Sequence, residues 1–131
     1  MRALDTNVLV RYIAQDDPRQ SARATKLLEQ ELTATDRGYV SLVALLETVW
    51  VMESRYAAST ELVGSILEDL LNTATLEVQE APAVRVAVQR YRKGGVDLHD
   101  GLIVALAAAR NARVLTFDAK AAKKLGMELL R

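Results

Sequence analysis

The chain has 131 residues, half of them hydrophobic and 26% charged. That is an ordinary globular balance and excludes a disordered chain. One domain over residues 1–131 is the expectation, with enough chain to bury a core without cross-links. Seventeen basic and seventeen acidic residues cancel, so the total lends no support to a dedicated reader of duplex DNA.

Cysteine is absent and His99 is the single histidine. Disulfides, thiolate metal sites and a zinc cluster of the usual composition are therefore excluded. No apolar run reaches the roughly 18 residues of a membrane span. The opening residues lack the pattern of a secretory signal, so the cytoplasm is the expected compartment. The charges are unevenly placed. Residues 1–81 carry seven basic and thirteen acidic side chains, and residues 82–131 carry ten and four. Arg90, Arg92 and Lys93 belong to the basic part. Such a part is either a set of solvated helix faces or a rim that meets a polyanion, and charge alone does not decide.

Hydrophobic spacing predicts a strand over 2–4 and a helix over 7–14. A second helix over 20–32 places Ala24, Leu27, Leu28 and Leu32 on one face. Gly38 precedes a short strand at Tyr39-Val40, followed by apolar-rich helices over 42–56 and 60–72. Leu76–Val78 reads as a strand. A helix over 83–92 stops at Gly94-Gly95, and another spans 98–111. Residues 113–117 form a strand, 119–125 a helix ending at Gly126, and 127–130 a last strand. Pro18 and Pro82 both fall where helices begin. Short strands alternating with helices imply a parallel sheet sandwiched by helices.

In such a fold, strand C-terminal ends and helix N-terminal ends share the edge where ligands bind. Asp5 and Asp118 each follow a predicted strand directly, Asp100 lies in a first helical turn, and Glu47 lies in the first half of the helix over 42–56. All four acids map to that edge. Asp5 and Asp118 also suit N-caps, and Asp97 with Asp100 a capping-box-like pair. Glu47 is different, because its neighbours Val43, Ala44, Trp50 and Val51 are all apolar. A carboxylate on a buried apolar stripe needs a compensating partner, either a salt bridge or a cation. Clustered acids without cysteine imply a hard ion on oxygen ligands, Mg²⁺ or Mn²⁺, of the kind that activates water and stabilises phosphate charge.

Four segments resemble, in order, the motifs of PIN-domain ribonucleases. They are Leu4-Asp5-Thr6-Asn7-Val8-Leu9, Ser41 through Glu47, Asp97 through Ala105, and Leu115-Thr116-Phe117-Asp118. The likeness is greatest to the VapC-type toxins of bacterial toxin–antitoxin pairs. The resemblance implies a three-layer α/β/α sandwich with a parallel, five-stranded sheet. It implies that Asp5, Glu47, Asp100 and Asp118 hold Mg²⁺ or Mn²⁺, with Asn7 and Thr116 orienting carboxylates, Asp97 beside them and Ser41 near a strand end. It further implies endonucleolytic cleavage of RNA by a homodimer that a small antitoxin silences. Gly101 departs from the alanine common in the family.

Two other readings stay open. The opening segment echoes that of a haloacid-dehalogenase-type phosphatase, although position 7 is Asn where that chemistry needs a second carboxylate. A non-catalytic binding module would keep the same fold. The basic side chains Arg90, Arg92 and Lys93 are the candidate RNA approach. The apolar faces over 42–56 and 60–72 leave surface for a second copy of the chain.

Overall fold

The computed structural model describes all residues from Met1 to Arg131. The chain divides into two compact units, Met1–Ala81 and Pro82–Arg131, which are described in turn.

The first unit is built on three short parallel strands: β1 (Arg2–Ala3), β2 (Gly38–Val40) and β3 (Leu76–Val78). β2 is central, with Ala3 opposite Tyr39 and Tyr39 opposite Glu77. Leu4 N donates to Tyr39 O and Gln79 N to Val40 O, both at 2.9 Å, which carries the ladders one residue past the strand ends. Helices fill the crossovers, as a parallel sheet requires: α1 (Thr6–Ala14), α2 (Pro18–Lys26), α3 (Leu42–Arg55) and α4 (Thr60–Asn72). The second predicted helix starts earlier than expected, because Asp17 caps it through Gln20 N at 3.0 Å and Pro18 occupies its first turn. Its last part widens into a π-helical turn, Leu27–Glu31, closed by Leu32 N on Leu27 O at 2.9 Å. Leu9, Val40, Leu45, Val63 and Leu67 are fully buried.

Gly38 is set by close approach rather than by backbone conformation. A Cβ there would lie 2.8 Å from Leu32 Cδ1 and 3.1 Å from both Leu4 Cδ1 and Leu76 Cδ2. The bare backbone lets these three leucines close over the central strand.

The second unit holds α5 (Ala81–Lys93, whose first residue belongs to the preceding unit), α6 (Leu98–Ala108), β4 (Leu115–Thr116), α7 (Ala119–Leu125) and β5 (Glu128–Leu129). β4 and β5 pair in parallel across the α7 crossover, Leu115 opposite Glu128. Gly94 and Gly95 end α5 at φ of 86° and 79°, the left-handed stop the sequence predicts. α6 ends at Ala108, earlier than expected, in a turn that reaches φ 54° at Asn111, a residue type that tolerates this conformation.

The parallel α/β class expected from the sequence is present. All five strands are found and all pairings are parallel, but they are hydrogen-bonded as a three-stranded and a two-stranded group rather than as one five-stranded sheet. With only two or three residues each, the strands support short ladders.

Two glycine substitutions should act in opposite directions. Gly38→Ala overpacks a leucine cluster and should cost about 1–3 kcal/mol. At Gly101, inside α6, a Cβ would meet Ala87 at 3.6 Å, an ordinary contact. Gly101→Ala should therefore gain about 0.5–1 kcal/mol from helix propensity and reduced unfolded-chain freedom. Urea midpoints of the two variants, read against the parent, check both signs.

Candidate metal centre

In the first unit, β1 and β2 run parallel, so Asp5 and Ser41 leave the same edge. Each caps the helix it begins. Asp5 Oδ1 accepts from Thr6 N at 2.8 Å, and Ser41 Oγ accepts from Ala44 N at 3.1 Å. Leu42 N also donates to Gln79 Oε1 at 2.9 Å, which ties the start of α3 to the end of β3. Glu47 follows in the second turn of α3. Asp5 and Glu47 thereby line one cavity of about 310 Å³, together with Asn7, Arg11, Trp50 and Tyr56.

Glu47 corrects one expectation. It is exposed, and so are Val43 (78%) and Trp50 (59%). Of the four apolar residues around Glu47, Val43 and Trp50 face outward, Val51 is half-buried and Ala44 alone turns into the core. The buried face of α3 is Ala44, Leu45, Thr48, Val49 and Met52, with the Thr48 hydroxyl satisfied by Ala44 O at 2.7 Å. Burial therefore does not demand a partner for Glu47; the shared sheet edge is what places it with Asp5.

The cavity wall is held by a polar chain. Arg11 donates to Gln20 Oε1 at 2.8 Å and to Asp16 Oδ1 at 3.2 Å, and the Tyr56 hydroxyl donates to Asp16 Oδ2. The Tyr56 hydrogen bond, with Arg11 adding to it, holds the Asp16 carboxyl below its ordinary range, and the same bond pushes the Tyr56 phenol up. A larger cavity of the same unit, about 560 Å³ beside Tyr12, Glu29 and Asp69, contains none of the predicted site residues. Burial raises the Tyr12 phenol there, helped by those two carboxylates.

In the second unit, Asp118 caps α7 with Oδ1, which accepts from Lys120 N at 2.9 Å and Ala121 N at 3.1 Å. Thr116 Oγ1 accepts from Asp118 N at 3.0 Å and so fixes the turn that carries this carboxylate. Asp97 occupies the N-cap position of α6, yet its side chain makes no cap bond, so the capping-box reading of Asp97 and Asp100 is not realised. Instead Asp97, His99 and Asp100 bring one ligand atom each to within 4.8 Å of one another. His99 Nε2 lies 3.4 Å from Asp100 Oδ1. Asp97, Asp100 and Asp118 line a cavity of about 150 Å³ with Lys120 and Lys124. Arg90, Arg92 and Lys93 occupy the last turn of α5.

The sequence-predicted acids thus fall into two sets, Asp5 with Glu47 and Asp97 with Asp100 and Asp118, each gathered at its own cavity. Sequence reasoning gave no role to His99, Arg11 or Arg55, and took Trp50 only as an apolar neighbour of Glu47. Trp50 carried a legible signal, since it stands one turn from Glu47. Both sets are rich in carboxylate oxygen, a donor chemistry that suits a hard divalent cation.

A family-wide sequence profile of the PIN domain matches residues 2–126. The chain belongs to the PIN domain family. PIN domains are generally metal-dependent nucleases, and the acidic cluster of this one is a candidate ion site. The match disfavours the phosphatase reading, which Asn7 also opposes. Beyond the family, the PIN domain matches no curated protein. No helix in it is long and apolar enough to cross a membrane.

Asp118 separates capping from charge. Asn at this position keeps an oxygen for the two α7 amides, so Asp118→Asn should stay within a few tenths of a kcal/mol of the parent. Asp118→Ala should lose about 1 kcal/mol of capping. Both should lose most Mn²⁺ affinity. Thermal melts with calorimetric Mn²⁺ titrations check the pattern, and full Mn²⁺ binding by Asp118→Asn would remove this carboxylate from the site.

Proposed function

We propose that this PIN domain is a Mg²⁺- or Mn²⁺-dependent endoribonuclease, the toxin of a toxin–antitoxin pair acting in the cytoplasm. The observation that carries the reading is the placement of its acids. Every one stands at a strand end or in the first two turns of a helix, exposed or half-exposed, beside another acid. In this reading the two compact units act as one domain over residues 1–131, a span the family match favours. Asp5, Glu47, Asp100 and Asp118 would hold the ion, with Asp97 beside them. When bound, a divalent ion supplies activation of water and stabilisation of charge on the phosphate.

The other roles belong to the chain itself. The caps on α1 and α7 use one oxygen each of Asp5 and Asp118 and thereby fix the direction of both carboxylates. Asn7 and Thr116 orient them further. Arg90, Arg92 and Lys93 meet the RNA backbone, so charge reversal there should slow cleavage of every RNA by similar factors and flatten its salt dependence. Val43 on α3 and Leu62 on α4 remain exposed, which supports a homodimer built on those helices. A mass near 14.4 kDa by light scattering at tens of micromolar would sink the dimer. A small antitoxin would silence the enzyme by covering the acids.

Asp100→Asn tests the core of the proposal. Repulsion among nearby carboxylates destabilises the ion-free fold, so removing one charge should leave its melting temperature unchanged or raise it. The parent should gain stability as Mn²⁺ is added, because binding favours only the folded state. The variant should gain much less, and its RNA cleavage should fall by orders of magnitude. A variant that melts lower without metal and still cleaves RNA would show Asp100 to be a helix-start residue only. Labelled RNA and a phosphate monoester, each with and without Mn²⁺, separate nuclease, phosphatase and inert module.

A further inference from the structure

We propose that Trp50 is a stacking platform that grips one base of the RNA strand at the Asp5–Glu47 cavity; the inference rests on the nuclease reading above. Trp50 is the only tryptophan of the chain, and it is 59% exposed. A large aromatic side chain left in water on a well-formed helix gives up much of its burial energy. It lies one turn after Glu47 on α3, and residues so spaced present side chains to the same face. It lines the same cavity as both carboxylates.

The rest of the cavity matches a nucleotide. Arg11 and Arg55 line it, and Arg11 is held in place by Gln20 and Asp16. A guanidinium suits a phosphate oxygen, an indole face suits a base, and the carboxylates suit the ion that meets the scissile phosphate. A base reaches the indole only when it is unpaired and splayed from its neighbours. An apolar helix from a protein partner fits less well, because docking would strip water from two carboxylates and two guanidiniums.

The single tryptophan makes the test direct, since its fluorescence reports on position 50 alone. In Asp100→Asn protein with Mn²⁺, where cleavage is stopped, an eight-nucleotide single-stranded RNA should quench that fluorescence strongly. A strand of equal length built from abasic residues should not. Equal quenching by both, or none by either, overturns the proposal. In the otherwise native protein, Trp50→Ala should lower the ratio of kcat/KM on RNA to that on the abasic strand by about 5- to 150-fold, the worth of one stacked base. Trp50→Phe should restore much of the ratio. An unmoved ratio in a protein that cleaves RNA overturns stacking while leaving the nuclease reading intact. A parent that cleaves neither strand with Mn²⁺ overturns the nuclease reading, and the quenching comparison then still decides whether position 50 meets a base. A Trp50→Ala protein that cleaves normally and changes only its mass by light scattering assigns the residue to a protein interface, and the proposal fails.

Discussion

A parallel strand must pass its chain to a helix at its C-terminal end, and the first amides of that helix need acceptors. Two of the acids at the candidate site, Asp5 and Asp118, are placed by how this chain meets that need. Asp5, Ser41 and Asp118 supply the acceptors at three of these handovers. Ser41 spends its only side-chain oxygen on the cap. The two aspartates spend one oxygen of two and bring a charge that the cap does not require. The same side chains thus terminate a strand, start a helix and leave a negative oxygen at the edge where ligands bind. Capping also removes rotamer freedom, so these carboxylates are aimed before any ligand arrives.

Asp97 shows the constraint by its exception. It stands at an N-cap and declines the role, and its carboxylate is gathered with Asp100 and His99 instead. A cap bond is worth about 1 kcal/mol, and like charges brought together repel, so both local terms argue against this arrangement. A cation offsets both at once. The His99 imidazole lies beside them, its Nε2 3.4 Å from Asp100 Oδ1. The surrounding charge works in the same direction, because the unit that carries this triad is the basic one.

Much of this was legible in the residues because it is local. The Gly94-Gly95 stop and the helix after Asp118 rest on backbone chemistry that neighbouring residues settle. The acids were legible because the strand–helix alternation fixes which end of each element they occupy. What escaped was the direction in which helix faces point. The four apolar neighbours of Glu47 read as a buried stripe, yet of these only Ala44 joins the covered face of α3, with Leu45, Thr48, Val49 and Met52, while Val43 and Trp50 stay exposed. Periodicity says that a helix has an apolar face; only tertiary packing says which of two such faces is covered. The same limit hid the division of the strands into groups of three and two, since pairing between distant strands leaves no mark in local sequence.

That misjudged face changes the meaning of α3. A buried Glu47 needs a cation to survive its surroundings, and the metal is then a structural necessity. An exposed Glu47 keeps its water and needs no partner, and Val43 and Trp50 beside it are what lack cover. The unexplained burden therefore shifts from the carboxylate to Val43 and Trp50. Of these, Val43 offers only area, which any apolar surface satisfies. Trp50 offers a flat, polarisable face beside the acids, and that suits a flat partner at a fixed place. A helix chosen only for stability has no reason to set its largest aromatic residue in water one turn from a carboxylate. The arrangement is intelligible when the strand cut at the acids must also be gripped by one of its bases.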